Sequence, residues 1–201
     1  MPKIKLTKGE LKHQRDSLKQ FSRFLPTLQL KKQQLQMEMR RCAQRLEELK
    51  EEERVLKVHL DSWIALFATP GAKDRITGMV TVGHVKRGTQ NIAGVEVPTF
   101  ISAEFTIGLY DLFIEDSWLD DALEVVKQIL SIRTQMDIVE EQNRLLSQEL
   151  RVTTQRVNLF EKVKIPECKE SIRVIQIYLG DQFTAAVGRA KIAKSKMQAV
   201  S

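Results

Sequence analysis

The sequence predicts an all-α-dominated protein: a long antiparallel two-helix coiled coil with a small insert, containing a short β-hairpin, at the turn end. Three observations carry this. Apolar residues recur in alternating steps of three and four over two very long stretches. Glycine and proline are scarce, at 9 and 5 of 201 residues, and glycine concentrates between those stretches. Charged residues make up 29% of the chain against 42% hydrophobic, a balance suited to helices that expose much surface for their mass.

The first stripe runs Leu11, Gln14, Leu18, Phe21, Leu25, Leu28, Lys32, Leu35, Met39, Cys42, Leu46, Leu49, Glu53, Leu56, Leu60, Trp63 and Phe67. A 3.5-residue period held this long makes one narrow apolar seam, and such a seam requires a partner helix. The flanking Gln, Glu, Lys and Arg are strong helix formers that solvate the other faces. A helix from about residue 5 to residue 68 would be roughly 95 Å long. Thr69-Pro70-Gly71 ends it. Residues 1–69 are thus read as the first long helix.

Residues 70–116 lose the helical period and carry Gly71, Gly78, Gly83, Gly88, Gly94 and Gly108. Met79–Val82 and Val95–Val97 read as short strands, with Lys86–Asn91 as the loop between them. No phosphate-cradling Gly-x-x-x-x-Gly-Lys-Ser/Thr stands here.

The second helical segment, 117–201, opens with Ser117 as N-cap and Asp120 and Asp121 in the first turn. Its stripe runs Trp118, Ala122, Val125, Ile129, Ile132, Met136, Val139, Asn143, Leu146, Leu150, Thr153, Val157 and Phe160. Near Pro166 it resumes one residue out of phase, at Ile165, Cys168, Ile172, Ile175, Leu179, Phe183, Ala186, Ala190, Ala193 and Met197. A change of supercoiling or a local bulge absorbs such a slip. Pro166 is expected to kink the helix rather than end it. Each stripe is most simply buried by the other, in an antiparallel hairpin whose second helix overhangs the first. Matching Phe67 with Trp118 makes paired positions sum to about 185, which sets Cys42 level with about residue 143 and Trp63 close to Trp118. Cys168 then lies some 25 residues from Cys42, or roughly 38 Å of helix, too far for a disulfide.

The chemistry-bearing residues form no constellation. His13, His59 and His84 are scattered, and Cys42 and Cys168 fall on apolar helix faces, where cysteine acts as a small hydrophobe. Glu47, Glu48, Glu51, Glu52 and Glu53 read as a solvated face paired with Lys50, Arg54 and Lys57. The sequence therefore calls for no catalytic residue, no cofactor and no metal, and for a mechanical or architectural role. No apolar run is long enough to cross a bilayer, and the N-terminus lacks the apolar core of a secretory signal. The net charge of +6 is uneven: residues 1–41 carry +8, residues 162–201 carry +5 and residues 76–121 carry −5. Basic ends point to nucleic acid or anionic lipid, with a solvated helix face as the plainer alternative. No aromatic residues interleave the terminal lysines, so the stacking platforms of a nucleic-acid tether are missing.

Three stretches resemble the D subunit of V/A-type rotary ATPases. They are Ile4–Lys8 with Phe24–Lys32, then Asn91–Pro98, then Arg156-Val157-Asn158-Leu159-Phe160-Glu161-Lys162 with Ile165-Pro166-Glu167 and a basic tail. The matched positions are Gly94, Pro98, Arg156, Asn158, Glu161 and Pro166. The resemblance implies a non-catalytic central stalk, or rotor, standing in a hexamer of A and B subunits, which holds the nucleotide sites. The F subunit would bind along the shaft. The turn end would sit on a funnel-like subunit above the membrane ring, on the cytoplasmic face, with no membrane insertion of its own. The seam residues Leu18, Phe21, Leu25, Leu28, Leu35, Leu46, Leu49, Leu56, Leu60, Val125, Ile129, Ile132, Leu146, Leu150, Val157 and Phe160 would form the shaft, and Lys191, Lys194 and Lys196 its candidate basic tip. A prefoldin-like chaperone, which also joins coiled-coil helices through β-hairpins, is the alternative architecture; its helices are much shorter.

Overall fold

The computed structural model describes residues 5–67, 78–108 and 118–200, with side chains except at 63–67, 199 and 200. The expected Thr69-Pro70-Gly71 stop, the Ser117 cap and the Trp63 side chain lie outside the described residues. Helix α1 spans Lys8–Phe67. Strands β1 (Val80–Ile92) and β2 (Val95–Ile107) follow. Then come helix α2 (Leu119–Asn158), a π-helical turn (Leu159–Lys164) and helix α3 (Ile165–Val200). The chain divides into two compact units, Gln33–Arg151 and Met1–Lys32 with Val152–Ser201.

In the unit Gln33–Arg151, α1 and α2 run antiparallel along the expected seam. Leu35, Leu49 and Leu146 are fully buried, and Cys42, Leu60, Ala122, Val125, Ile129 and Ile132 nearly so. Leu46, Leu56 and Leu150 are half-buried. The register follows the expected sum. The Cys42 thiol donates to Gln142 Oε1 at 3.8 Å, and Arg133 Nε donates to Glu53 Oε1 at 2.7 Å. Asn143 sits in the seam with a buried Oδ1 that has no hydrogen-bond partner among the described residues. Such a polar group in an apolar seam costs stability and disfavours other registers.

The hairpin departs from expectation in length and in turn. Both strands are 13 residues long, and Lys86–Asn91 is strand rather than loop. The turn is the two-residue Ala93-Gly94, with φ of 51° and 81°. Two successive positive φ values define the tight turn whose twist matches paired strands. Gly94 adopts such a φ freely, whereas Ala93 is strained. The Gly94 N–H donates to the Asn91 side-chain oxygen at 3.0 Å, which helps hold that conformation. Alanine gives little sign of a left-handed residue, so the turn was not legible in the sequence.

The hairpin lies back along the two helices. At its base, Val80, Phe105 and Ile107 join the cluster of Leu60, Leu119, Leu123 and Val126. At its tip, Ile92, Ala93, Val95 and Val97 join Leu35, Cys42 and Leu146. The dimensions agree: 13 strand residues span about 43 Å, and the 25 residues from Leu60 back to Leu35 span about 38 Å of helix. Leu123, Val126, Leu130, Thr134, Ile138 and Leu145 form a second buried or half-buried row on α2. That row repeats roughly every 3.7 residues, close to the straight line of an α-helix, and so differs from the 3.5-residue seam. Gln142 ties the layers together, accepting from Cys42 on α1 and donating to the Pro98 carbonyl on β2.

In the other unit the seam continues through Leu18, Phe21, Leu25 and Leu28, all half-buried, against Thr153, Val157, Cys168 and Ile175, all buried. The Phe21 and Phe160 rings pack in a tilted arrangement, 5.0 Å between centroids and 47° between planes. The phase slip is absorbed by the π-turn, in which the Ile165 N–H reaches back five residues to the Phe160 carbonyl. One extra residue is thereby accommodated without rotating the seam away from its partner. Pro166 follows directly. It has no N–H to offer and would crowd the carbonyl four residues back in a regular helix. The widened turn stands where that conflict would arise. In α1, Pro26 is exposed and the helix continues through it.

Candidate functional site

The expected acidic face is present and mostly paired along its own helix. Lys50 meets Glu47 at 2.9 Å, Arg54 meets Glu51 at 2.7 Å and Arg45 meets Glu48 at 3.3 Å. Glu53 differs. Its side chain is only 13% exposed, and one oxygen receives both Lys57 and Arg133. Burial alone would raise its pKa, but the hydrogen bonds and charges of Lys57 and Arg133 outweigh it and hold the carboxyl below its ordinary value. A carboxylate with a depressed folded pKa contributes stability above its unfolded pKa, and that contribution is lost as pH falls through the folded value. Glu53→Gln should therefore destabilise by about 1 kcal/mol at pH 7, with the difference shrinking in acid once pH falls below the ordinary carboxylate range. Urea unfolding at neutral and acid pH measures this; a pH-independent difference would contradict the assignment.

Cys42 and Cys168 are both free and buried. Burial pushes both thiols up, helped by Glu38 at Cys42 and Glu167 at Cys168. They are poor nucleophiles, as buried structural cysteines are. His13, His59 and His84 are exposed on α1 and β1. Among the described residues no group of three or more His, Cys, Asp or Glu is placed to hold a metal ion. No helix there is long and apolar enough to cross a membrane.

The matched motif positions fall at conformational irregularities. Arg156 and Asn158 close α2, Glu161 lies in the π-turn and Pro166 follows it, all four exposed. Gly94 forms the hairpin turn, and Pro98 gives its carbonyl to Gln142. The motif from Arg156 to Pro166 is thus the local sequence of the phase slip. From Gly180 to Gln198 every residue but Gly188 is exposed, including Lys191, Lys194 and Lys196. Phe183 is 72% exposed and Ile192 58%. Unpaired apolar surface on a helix of this kind marks a place where another surface packs. The sequence stripe runs past Leu179 without distinguishing buried from exposed residues; the exposed part begins where α1 stops supplying a partner.

Two long helical segments and a β-hairpin that folds back along them define the class: a protein dominated by antiparallel helical coiled coil. The chain belongs to the ATP synthase D-subunit family, whose model matches residues 10–195. It is 46% identical over 197 residues to the V-type ATP synthase D subunit of Borreliella burgdorferi, covering 98% of this chain and 96% of that one. To the V-type ATP synthase D subunit of Chlamydia trachomatis serovar L2 it is 33% identical over 195 residues, covering 97% and 96%. To that of Chlamydia caviae it is 30% identical, covering 97% and 94%.

Proposed function

We propose that this chain is the non-catalytic central stalk of a V/A-type ATPase, transmitting torque between an A/B catalytic hexamer and a membrane ion-translocating ring. The observation that supports this best is the contrast along one seam. From Leu11 to Leu60 every seam residue is at least half-buried, whereas beyond Leu179 the stripe is uncovered. A two-helix seam resists twist along its length, and the basic, apolar end of α3 is suited to insertion among other subunits. On this reading residues 1–69 and 117–201 form the shaft and residues 70–116 the insert. The F subunit binds along the shaft. A funnel-like subunit joins the turn end to the ring, on the cytoplasmic face of the membrane. The nucleotide sites belong to the hexamer. Reconstitution of hexamer ATPase activity with and without this chain tests the role. Sustained turnover coupled to rotation is expected only with it, and equal coupled activity without it would sink the proposal.

Lys191, Lys194 and Lys196 are proposed to orient the tip against acidic collars of the hexamer. Surface charges act individually at about 0–1 kcal/mol, so a single substitution should do little. Changing all three to Glu should weaken binding to the hexamer roughly tenfold or more at low salt, with a smaller effect at high salt where screening is complete. A salt series on both chains measures this, and equal binding at low ionic strength would remove the orienting role.

A further inference from the structure

The seam of the unit Gln33–Arg151 has a weak place. At the level of the small Cys42, α2 offers Asn143, whose Oδ1 is buried with no hydrogen-bond partner among the described residues. The bond from Cys42 to the neighbouring Gln142 fixes that level. A small side chain beside an unsatisfied polar one buries little apolar surface and carries a desolvation cost. The hairpin tip lies over this place. Val97 packs there against Leu35, Cys42 and Leu146, with Ile92, Ala93 and Val95 around it. Gln142 Nε2 donates to the Pro98 carbonyl beside it.

The tip is held separately from the base of the hairpin. Val80, Phe105 and Ile107 belong to a different cluster, with Leu60, Leu119 and Leu123. Between the two clusters residues 81–84, Lys86 and Arg87 are exposed. The ladder shifts register there twice, between Val82 and Val85 and between Lys86 and Arg87. Ile101, passed over in β2 at the second shift, is 55% exposed. Bulges interrupt the ladder and bend the strands, so two in succession make a hinge. Among the described residues of the tip only Val97 is fully buried. Ala93 keeps its φ of 51°, a strain that persists only while the packing around it holds.

We propose that the hairpin tip is a strap that closes over the weak place in the seam and lifts from it while the base stays docked, bending at the two bulges. Closed, it adds a third layer at Cys42 and Asn143 and holds α1 against α2. Lifting breaks the Gln142–Pro98 bond and lets Ala93 relax. The helices are then joined at that level by an underfilled, partly polar seam. The local stiffness of the helix pair therefore depends on the strap. One fully buried side chain and one side-chain hydrogen bond are a light fastening, so the lifted state is a minor species of about 0.1–10%.

Amide hydrogen exchange of the full chain, read residue by residue, tests this. In the native chain Val95 and Val97 in the tip should exchange about tenfold faster than Thr106 in the base. Val97→Ala on the hairpin and Gln142→Ala on α2 each loosen the strap. Each should speed exchange at Val95 about tenfold, and at the helix amides of Cys42 and Leu146 about threefold, with Thr106 unchanged. Adding Asn143→Leu to Gln142→Ala fills the seam with an apolar side chain. The helix amides should then return to the native rate while Val95 stays fast. Native helicity in circular dichroism checks that the variants fold. Equal native rates at tip and base, or a rise at Thr106 as large as at Val95, would show that the unit opens as a whole and overturn the strap. Helix amides that ignore loosening of the tip, or that Asn143→Leu does not restore, would overturn its hold on the seam. No other subunit enters the experiment, so its outcome is separate from that of the stalk assignment.

Discussion

Deleting Asp137 should unfold the unit Gln33–Arg151, while deleting Val163 should leave the seam of the other unit facing its partner. Both residues are exposed and neither belongs to the seam, so the packing of their own side chains does not distinguish them. Helical phase does. Removing one residue rotates everything downstream by about 100°. At Asp137 this turns Val139, Asn143 and Leu146 away from α1 and carries Gln142 and Leu145 away from the hairpin tip. Each large apolar side chain returned to water costs about 1.5–3 kcal/mol, so displacing Val139, Leu145 and Leu146 costs about 5–9 kcal/mol, comparable to the whole stability of a domain. At Val163 the chain already carries one residue more than a regular helix accommodates, in the π-turn Leu159–Lys164. Removing it restores regular helix, and Val157 and Cys168 remain on the same face. What remains is the conflict of Pro166 with a regular helix, about 3 kcal/mol. Adding Pro166→Ala to the deletion should recover most of that. Urea unfolding and circular dichroism on the three variants measure it. If the Val163 deletion, with or without Pro166→Ala, is as damaging as the Asp137 deletion, the π-turn is not the site of the slip.

Leu146→Ala should cost about 4–5 kcal/mol, at the upper part of the range for buried leucine, because the site has little freedom to collapse. Leu146 is fully buried in the cluster of Leu35, Cys42 and Val97, which brings α1, α2 and β2 to one place. Two helices held in register at Cys42 and Glu53, and a hairpin anchored at its base, cannot all close on the cavity. Leu150→Ala, at a half-buried seam position, should cost about half as much or less. The mutant hairpin tip should also exchange its amide hydrogens faster, since its packing partner is removed. Equal costs at the two positions, or unchanged exchange at Val95 and Val97, would show that the tip does not depend on this cluster.

How much of this was legible in the sequence varies by element. The long helices of the fold were legible, because a 3.5-residue period sustained over eight heptads has one physical reading, burial against another helix. The phase slip near Pro166 was legible too, since it is a counting fact about apolar positions, but its form was not. A bulge and a change of supercoiling leave the same pattern, and only the Ile165-to-Phe160 hydrogen bond distinguishes them. The histidines and cysteines carried no spacing that would suggest chemistry. The matched motif positions Arg156, Asn158, Glu161 and Pro166 could be picked out by resemblance, but not their place around the π-turn.

The sequence by itself determined the antiparallel pairing of the two helices, because each seam could be satisfied by the other, and the register followed from where the stripes ended. Tertiary structure alone decided the course of the hairpin. Its strands carry mixed residues at Lys86–Asn91 that look like a loop, and Ala93 hides a left-handed turn. Their conformation is set by pairing with β2 and by contact with α2, both non-local. The row that receives them, from Leu123 to Leu145, is masked in the sequence by the stronger seam beside it. Two apolar rows of nearly equal period overlap in a linear pattern, and they separate only when the helix is wound and a second partner is laid against it.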